Sequence, residues 1–142
     1  MPMTRASLAN LSPDRRSEET CVFCAMRNSD RIVLRNELAF ALRDTTPVTD
    51  LHTLVLPFRH APTYFDLTPE ELAATNDPLW RLRAQMCQTD PSVEGFNIGA
   101  NVGLVSGQTI FHCHIHLIPR RRGDVENPLG GVRGVIPDKM RY

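Results

Sequence analysis

The chain has 142 residues, of which 42% are hydrophobic, and this size suits one domain with a single core. Its 16 basic and 16 acidic side chains cancel, which argues against nucleic acid or an acidic membrane as partner and favours a small ligand. No apolar run approaches the roughly 20 residues that span a bilayer, and no signal-peptide pattern opens the sequence, so we expect a cytoplasmic location.

The two ends of the chain differ in character from its middle. Residues 1–18 are polar and lack an apolar period, which predicts a flexible N-terminal extension. Residues 19–142 form the expected domain. From about residue 120 the sequence is rich in Arg, Gly and Pro, and we expect an irregular C-terminal tail.

Three short apolar runs in the first half of the domain predict strands. Two of them flank Asn36, which favours a tight turn between them. The third is stopped by Pro57 and has His52 near its start. The three runs are Ile32–Leu34, Leu38–Leu42 and Leu51–Leu56.

The strongest helix signal begins at Thr68. This residue offers an N-cap hydroxyl, Pro69 suits the first helical position, and the two acids that follow complement the helix dipole. Pro78 lacks a backbone N–H, so we expect a kink or a break there before the helix continues to about Gln88.

Two further strands are predicted around a glycine-containing loop at 103–107. They are Phe96–Val102 and Ile110–Ile118. The mixture predicts an α+β fold with an antiparallel sheet of about five strands and one main helix.

The last predicted strand carries three of the five histidines of the chain. Because strand side chains alternate between faces, His112, His114 and His116 are expected on one face, with apolar residues on the other. A neutral imidazole can attack phosphorus as a nucleophile. Three imidazoles on one face can also hold a catalytic zinc ion, and the spacing alone leaves both chemistries open.

The segment from His112 to Ile118 resembles the His-φ-His-φ-His-φ-φ signature of the histidine triad superfamily, where φ is apolar. The resemblance extends from about Cys21 to Arg122 and includes the runs Cys21–Cys24, Leu38–Phe40 and His52–Pro57 in the same order. The Pro119-Arg120 junction resembles the fragile histidine triad branch, whose members hydrolyse dinucleoside polyphosphates. The closing Gly130–Pro137 segment resembles the tail of one group of bacterial members.

This resemblance implies a histidine triad fold, a homodimer with the helix near Leu79–Met86 at its interface, and a nucleotide hydrolase. In the family the middle histidine becomes nucleotidylated, and that position is His114. His116 and His52 match histidines that line the phosphate site, where they would donate hydrogen bonds as charge develops. Alternatives are a nucleoside phosphoramidase or nucleotidyltransferase using the same site, a zinc hydrolase with the triad as ligands, and a nucleotide sensor without chemistry.

The resemblance also implies substrate contacts. The loop before the triad would face the phosphate, and an amide and a carboxylate upstream would contact phosphate or ribose. Asp44 would equally suit a turn, and Phe23, a candidate contact of the base, would equally suit the core. The candidate substrate-binding residues are Phe23, Asp44, Asn101, Gly107, Gln108 and Thr109.

A structural zinc ion is the only cofactor that the resemblance implies. Several family members bind zinc with a Cys pair, a later His and the first triad His, positions matched here by Cys21, Cys24, His60 and His112. Two thiolates and two imidazoles close a tetrahedral shell, so this ion would stabilise the fold rather than bind substrate. A Cys-x-x-Cys pair alone also fits redox chemistry.

Overall fold

The computed structural model describes residues 17–142, and the predicted extension 1–18 lies almost entirely outside this part. Within it, one α-helix and five strands form the framework. They are β1 (Ile32–Arg35), β2 (Ala39–Arg43), β3 (Thr53–Pro57), α1 (Pro69–Thr89), β4 (Val93–Gly99) and β5 (Ile115–Arg121). In these residues no helix combines the length and the apolar character that crossing a bilayer requires.

All neighbouring strands are antiparallel and follow the order β1-β2-β3-β5-β4, which confirms the predicted α+β fold. Strands β2 and β3 are buried on both faces. On one face of the sheet, Val55 of β3 and Leu117 of β5 pack against Leu82 of α1, and Phe40 and Leu56 belong to a second apolar cluster. Burial of these apolar side chains stabilises the central strands, which carry the loops at their ends.

Helix α1 begins where the sequence predicts. The Thr68 hydroxyl accepts a hydrogen bond from the Glu71 N–H at 3.1 Å, and the Glu71 carboxylate accepts one from the Thr68 N–H at 2.9 Å. Arg59 also donates to the buried Glu71 carboxylate, at 2.8 Å. The capping box therefore ties the loop that carries Arg59 and His60 to the start of the helix.

The predicted interruption at Pro78 is wrong as a break, because α1 continues from Pro69 to Thr89. Proline leaves the carbonyl four residues earlier, that of Ala74, without its helical donor. The Asn36 side-chain amide fills this position and donates to the Ala74 carbonyl at 2.8 Å. A residue in the β1–β2 turn thus supplies the hydrogen bond that the Ala74 carbonyl lacks because of Pro78.

Strand boundaries also differ from the prediction, and β4 spans Val93–Gly99 instead of Phe96–Val102. Leu51 has φ +72°, so it lies in a turn, and His52 precedes the third strand instead of lying inside it. Strand β5 begins at Ile115 rather than Ile110 and continues to Arg121, past the predicted start of the irregular tail. Before Ile115 the chain follows another path, because the Cys113 N–H donates to the Ala61 carbonyl at 2.7 Å.

Candidate functional site

A cavity of about 420 Å³, here called the His114 cavity, lies beside the middle histidine of the triad. It brings together most of the candidate residues from distant parts of the sequence. Those that line it are Phe23, Asp44, Asn101, Gly107, Thr109, His114 and His116. Its size is in the range of small-molecule sites.

The His114 ring is held in one orientation. Its Nδ1 lies 2.8 Å from the His112 carbonyl oxygen, an acceptor that requires Nδ1 to carry the proton. The Nε2 atom of a neutral ring is then left with its lone pair. Burial lowers the pKa of His114 below its usual value, which keeps the ring neutral near pH 7. The Phe23 ring packs edge-on, with 5.0 Å between the ring centroids.

His52 and His116 form a second ordered pair beside His114. The Val48 N–H donates to Nδ1 of His52 at 3.2 Å, so the His52 proton resides on Nε2. This Nε2 lies 2.8 Å from Nδ1 of His116. His116 therefore accepts at Nδ1 and carries its own proton on Nε2.

The surroundings of this pair favour neutral rings. Burial, with the nearby His114 and His52 rings, lowers the pKa of His116 to about 4. Burial also lowers the pKa of His52, and Asp44 opposes that shift. The Asp44 carboxylate lies 3.6 Å from Nε2 of His52 and accepts a hydrogen bond from the Thr46 N–H at 2.8 Å. Asp44 is thus a turn residue that also lines the cavity.

The loop before the triad is shaped by a glycine and a buried amide. Gly107 has φ +89°, a conformation that favours glycine. The Gln108 side chain is 1% exposed, accepts from the Gly103 N–H at 2.9 Å and donates to the Pro62 carbonyl at 2.6 Å. Gln108 does not line the His114 cavity, unlike Gly107 and Thr109. The geometry therefore gives its side chain a role in holding the loop.

A separate cluster of four donor atoms lies at the buried end of the triad. The donors of Cys21, Cys24, His60 and His112 all lie within 4.8 Å of one another. The Cys24 Sγ lies 3.3 Å from Nδ1 of His60 and 3.4 Å from Nδ1 of His112. In a tetrahedron, zinc bonds of about 2.3 Å to sulfur and 2.0–2.1 Å to nitrogen separate such donors by about 3.6 Å. The four residues therefore fit a zinc ion.

The His112 tautomer suits the same cluster. Its Nε2 donates to the Pro57 carbonyl oxygen at 2.8 Å, which leaves the Nδ1 lone pair directed at the two cysteines. An outer hydrogen bond of this kind is the usual means of orienting a metal-binding imidazole. Burial lowers the pKa of His112 to about 4, so the ring is neutral, as a ligand must be.

The alternative of a zinc centre formed by the three triad histidines is wrong. Among residues 17–142, the possible metal ligands close to His116 are His52 and Asp44. His112 instead lies in the cluster with the two cysteines. The expected common face fails because β5 starts only at Ile115. His112 is therefore fully buried and points away from the cavity that His114 and His116 line.

The sequence model of the HIT domain matches residues 26–123, which include β1 to β5 and the whole triad. The chain belongs to the HIT family. The match begins after the two cysteines of the donor cluster.

Two curated proteins and one solved structure show what this HIT protein is similar to. It is 31% identical over 110 residues to the adenylylsulfatase HINT3 of Arabidopsis thaliana, covering 75% of this chain and 55% of that protein. It is 39% identical over 100 residues to a bis(5'-adenosyl)-triphosphatase of Dictyostelium discoideum, covering 68% and 64%. A zinc-bound histidine triad protein of Mycobacterium smegmatis superposes with a TM-score of 0.70 at 32% identity, covering 78% and 82%.

The cations of the site in this HIT protein were not predicted from its sequence. Arg31 and Arg43 line the His114 cavity. In contrast, the arginine run after the triad is paired with acids: Arg120 with Asp124, Arg121 with Asp90 and Arg122 with Glu94. Arg43 was detectable as the charged end of an otherwise apolar strand, but its position beside the triad depends on the pairing of β2 with β3.

Proposed function

We propose that this HIT protein hydrolyses a phosphoanhydride bond of a nucleotide, of the dinucleoside polyphosphate class, through a nucleotidyl intermediate on His114. The observation that carries the proposal is the 2.8 Å contact between Nδ1 of His114 and the His112 carbonyl. This contact presents a neutral Nε2 lone pair beside a cavity of nucleotide size. The named Dictyostelium triphosphatase supports the substrate class.

The proposed reaction has two steps. In the first, the Nε2 lone pair of His114 attacks the phosphorus of the bound nucleotide, and the phosphorus–oxygen bond to the leaving phosphate breaks. The leaving group takes that electron pair. In the second step, water attacks the phosphorus and releases a proton to solvent, the phosphorus–nitrogen bond breaks, and His114 recovers its lone pair. The products are a nucleoside monophosphate and a shortened nucleotide.

The neighbouring residues have distinct proposed roles. The Nε2–H of His116, oriented through His52, donates to the phosphoryl oxygens as charge develops on them. Arg43 and the backbone N–H of Thr109 attract the phosphate, whereas the Gly107 N–H donates to the Leu104 carbonyl at 3.0 Å and shapes the loop. Asp44 accepts from the ribose hydroxyls, and Phe23 and Asn101 contact the nucleoside.

A zinc ion in the cluster of Cys21, Cys24, His60 and His112 would have a structural role. It would join the 21–24 turn, the loop after β3 and the start of the triad, with no open position for substrate. The zinc-bound Mycobacterium smegmatis protein supports the choice of ion.

We also propose a cytoplasmic homodimer with the helix near Leu79–Met86 at its interface. In this region Leu79, Leu82 and Met86 are buried in the core of their own chain, so the exposed residues of the helix would make the contact. Trp80 and Phe65 are 68% and 80% exposed and supply the apolar surface that a dimer would cover.

Hydrolysis of diadenosine triphosphate by purified protein tests the proposed activity. We expect AMP and ADP in equal amounts, and their absence would refute the substrate class. The adenylylsulfatase relative supports a second candidate, in which the same adenylyl transfer to His114 accepts a different leaving group. Adenosine phosphosulfate and adenosine phosphoramidate, assayed in parallel, rank these leaving groups by kcat/KM.

A further inference from the structure

A second cavity, of about 630 Å³, lies on the other side of the His52–His116 pair. One wall is formed by β4 and β5, and the other by a short turn of the C-terminal tail (Gly131–Val135). We name it the tail cavity. His116 and Asn101 line both cavities, so the two spaces meet at the proposed phosphoryl site.

The tail that closes this cavity is folded by its own contacts. Gly130 has φ +93°, and a Cβ on it would lie 2.0 Å from the Met140 carbonyl oxygen. The Arg133 side chain donates to the Lys139 carbonyl at 2.9 Å and covers the Tyr142 ring at 5.1 Å. These contacts hold the fold of the tail itself, and its Val132 and Val135, which are 65% and 76% exposed, line the cavity.

The residues that line the tail cavity indicate which kind of ligand it can bind. Apart from the histidine pair, Arg120 and Asp124 are the ionisable residues of this lining, and they bind each other through two hydrogen bonds of 2.7 and 2.8 Å. Their charges are thus cancelled. The remaining lining residues are uncharged: valine, isoleucine, alanine and glycine, with the polar side chains of Thr49, Asn97 and Asn101. A neutral, flat group with apolar faces and polar edges fits this surface better than a phosphate does.

The direction in which the leaving group departs relates the two cavities to each other. In an in-line displacement the leaving group departs from the side of phosphorus opposite the nucleophile. The tail cavity adjoins the His114 cavity at His116 and Asn101, so a leaving group that departs past His116 would enter it. We propose that the tail cavity binds the leaving-group end of the substrate and that this end carries a second nucleoside. This inference rests on the proposed function and assigns a binding place to the second nucleoside of that substrate.

The test compares two substrates that share the adenylyl half. Diadenosine triphosphate has a nucleoside on its leaving group, whereas adenosine phosphoramidate has only an amine. Val135→Trp should occupy part of the tail cavity and raise the KM for diadenosine triphosphate about tenfold, a loss typical of apolar contacts in a binding site. The kcat/KM for the phosphoramidate should stay within about twofold of wild type. Val132→Asn, which makes the wall polar, should act in the same direction.

Val105→Trp is the matched control, because Val105 is fully exposed and lines neither cavity. It should change neither substrate. If Val135→Trp affects both substrates equally, or neither, the subsite is refuted while the proposed function stands. If this variant also loses a dimer on gel filtration and affects both substrates alike, a second copy of the chain occupies the cavity instead. If wild type hydrolyses neither substrate, the proposed function fails and the subsite fails with it.

Discussion

The rings of His52 and His116 share a hydrogen bond of 2.8 Å whose direction is set from outside the pair. The Val48 N–H occupies Nδ1 of His52, so the His52 proton points to His116, and the His116 proton lies on Nε2. A backbone amide in an exposed loop thus fixes which nitrogen of a proposed catalytic histidine carries the proton.

Replacing the Val48 N–H tests this arrangement directly. Val48→Pro removes the amide hydrogen but leaves both histidines in place. We expect kcat for diadenosine triphosphate to fall roughly fivefold, the effect of one hydrogen bond of about 1 kcal/mol. Steady-state kinetics at saturating substrate provides the measurement.

Val48→Ala is the control for this prediction, because it keeps the N–H and the Val48 side chain is 68% exposed. It should keep the wild-type kcat, and kcat alone is compared because Val48 also lines the tail cavity. Equal kcat values for the proline and alanine variants would show that the amide does not orient the pair.

The depressed pKa of His116 predicts a pH dependence of stability. Its ring faces His52, His114 and Asp44, and its pKa is lowered from 6.5 to about 4. The unfolded chain takes up this proton near pH 6.5 and the folded chain only near pH 4, so the folded state loses stability across that interval as pH falls. Allowing for solvent screening, the loss is on the order of 1–2 kcal/mol.

His116→Asn isolates this effect, since the amide oxygen can accept the His52 N–H and does not titrate. Urea unfolding at about pH 7.5 and 4.5 should show wild type losing more stability than the variant, by the amount above. Parallel losses in the two proteins would contradict the lowered pKa.

The donor cluster predicts about one zinc ion per chain in protein purified without an affinity tag. Cys24→Ser should lower zinc affinity at least about tenfold and reduce the melting temperature. Cys87→Ser is the matched control, because Cys87 is exposed and lies outside the cluster. A chelator should abolish activity only as fast as it unfolds the protein. Prompt loss of turnover with the fold intact would argue against a structural ion.

The bond between Asn36 and the Ala74 carbonyl predicts an unusual rescue. Asn36→Asp keeps the acceptor that the Leu38 N–H uses in the turn but removes the donor to α1. The free energy of unfolding should fall by about 1–2 kcal/mol. In a Pro78→Ala background the restored helical N–H can bond the Ala74 carbonyl, so the same substitution should cost less. Equal costs in both backgrounds, measured by urea unfolding, would refute the compensation.

Local signals in the sequence were enough for most of the framework. Thr68 and Pro69 predicted the start of α1, and the apolar runs on either side of Asn36 predicted β1 and β2. These features depend on residues that are neighbours in the chain, where turn and capping chemistry act.

The predictions were wrong where contacts between residues distant in the sequence determine the local structure. Pro78 predicts a break only if nothing satisfies the Ala74 carbonyl, and Asn36 comes to it from another element. The burial of His112 follows from its Pro57 and cysteine partners, which alternation along a strand does not reveal. The donor cluster matches the resemblance, whereas the Val48 amide and the tail cavity left no recognisable pattern in the sequence.

A covalent adduct on His114 is the most direct test of the account. Protein mixed with diadenosine triphosphate and quenched in alkali, which preserves a phosphorus–nitrogen bond, can be digested and analysed by mass spectrometry. We predict one added adenylyl group on the peptide that contains His114, formed and lost at rates compatible with turnover. Hydrolysis that proceeds with no adduct, or with the adenylyl group on another residue, would contradict the central claim.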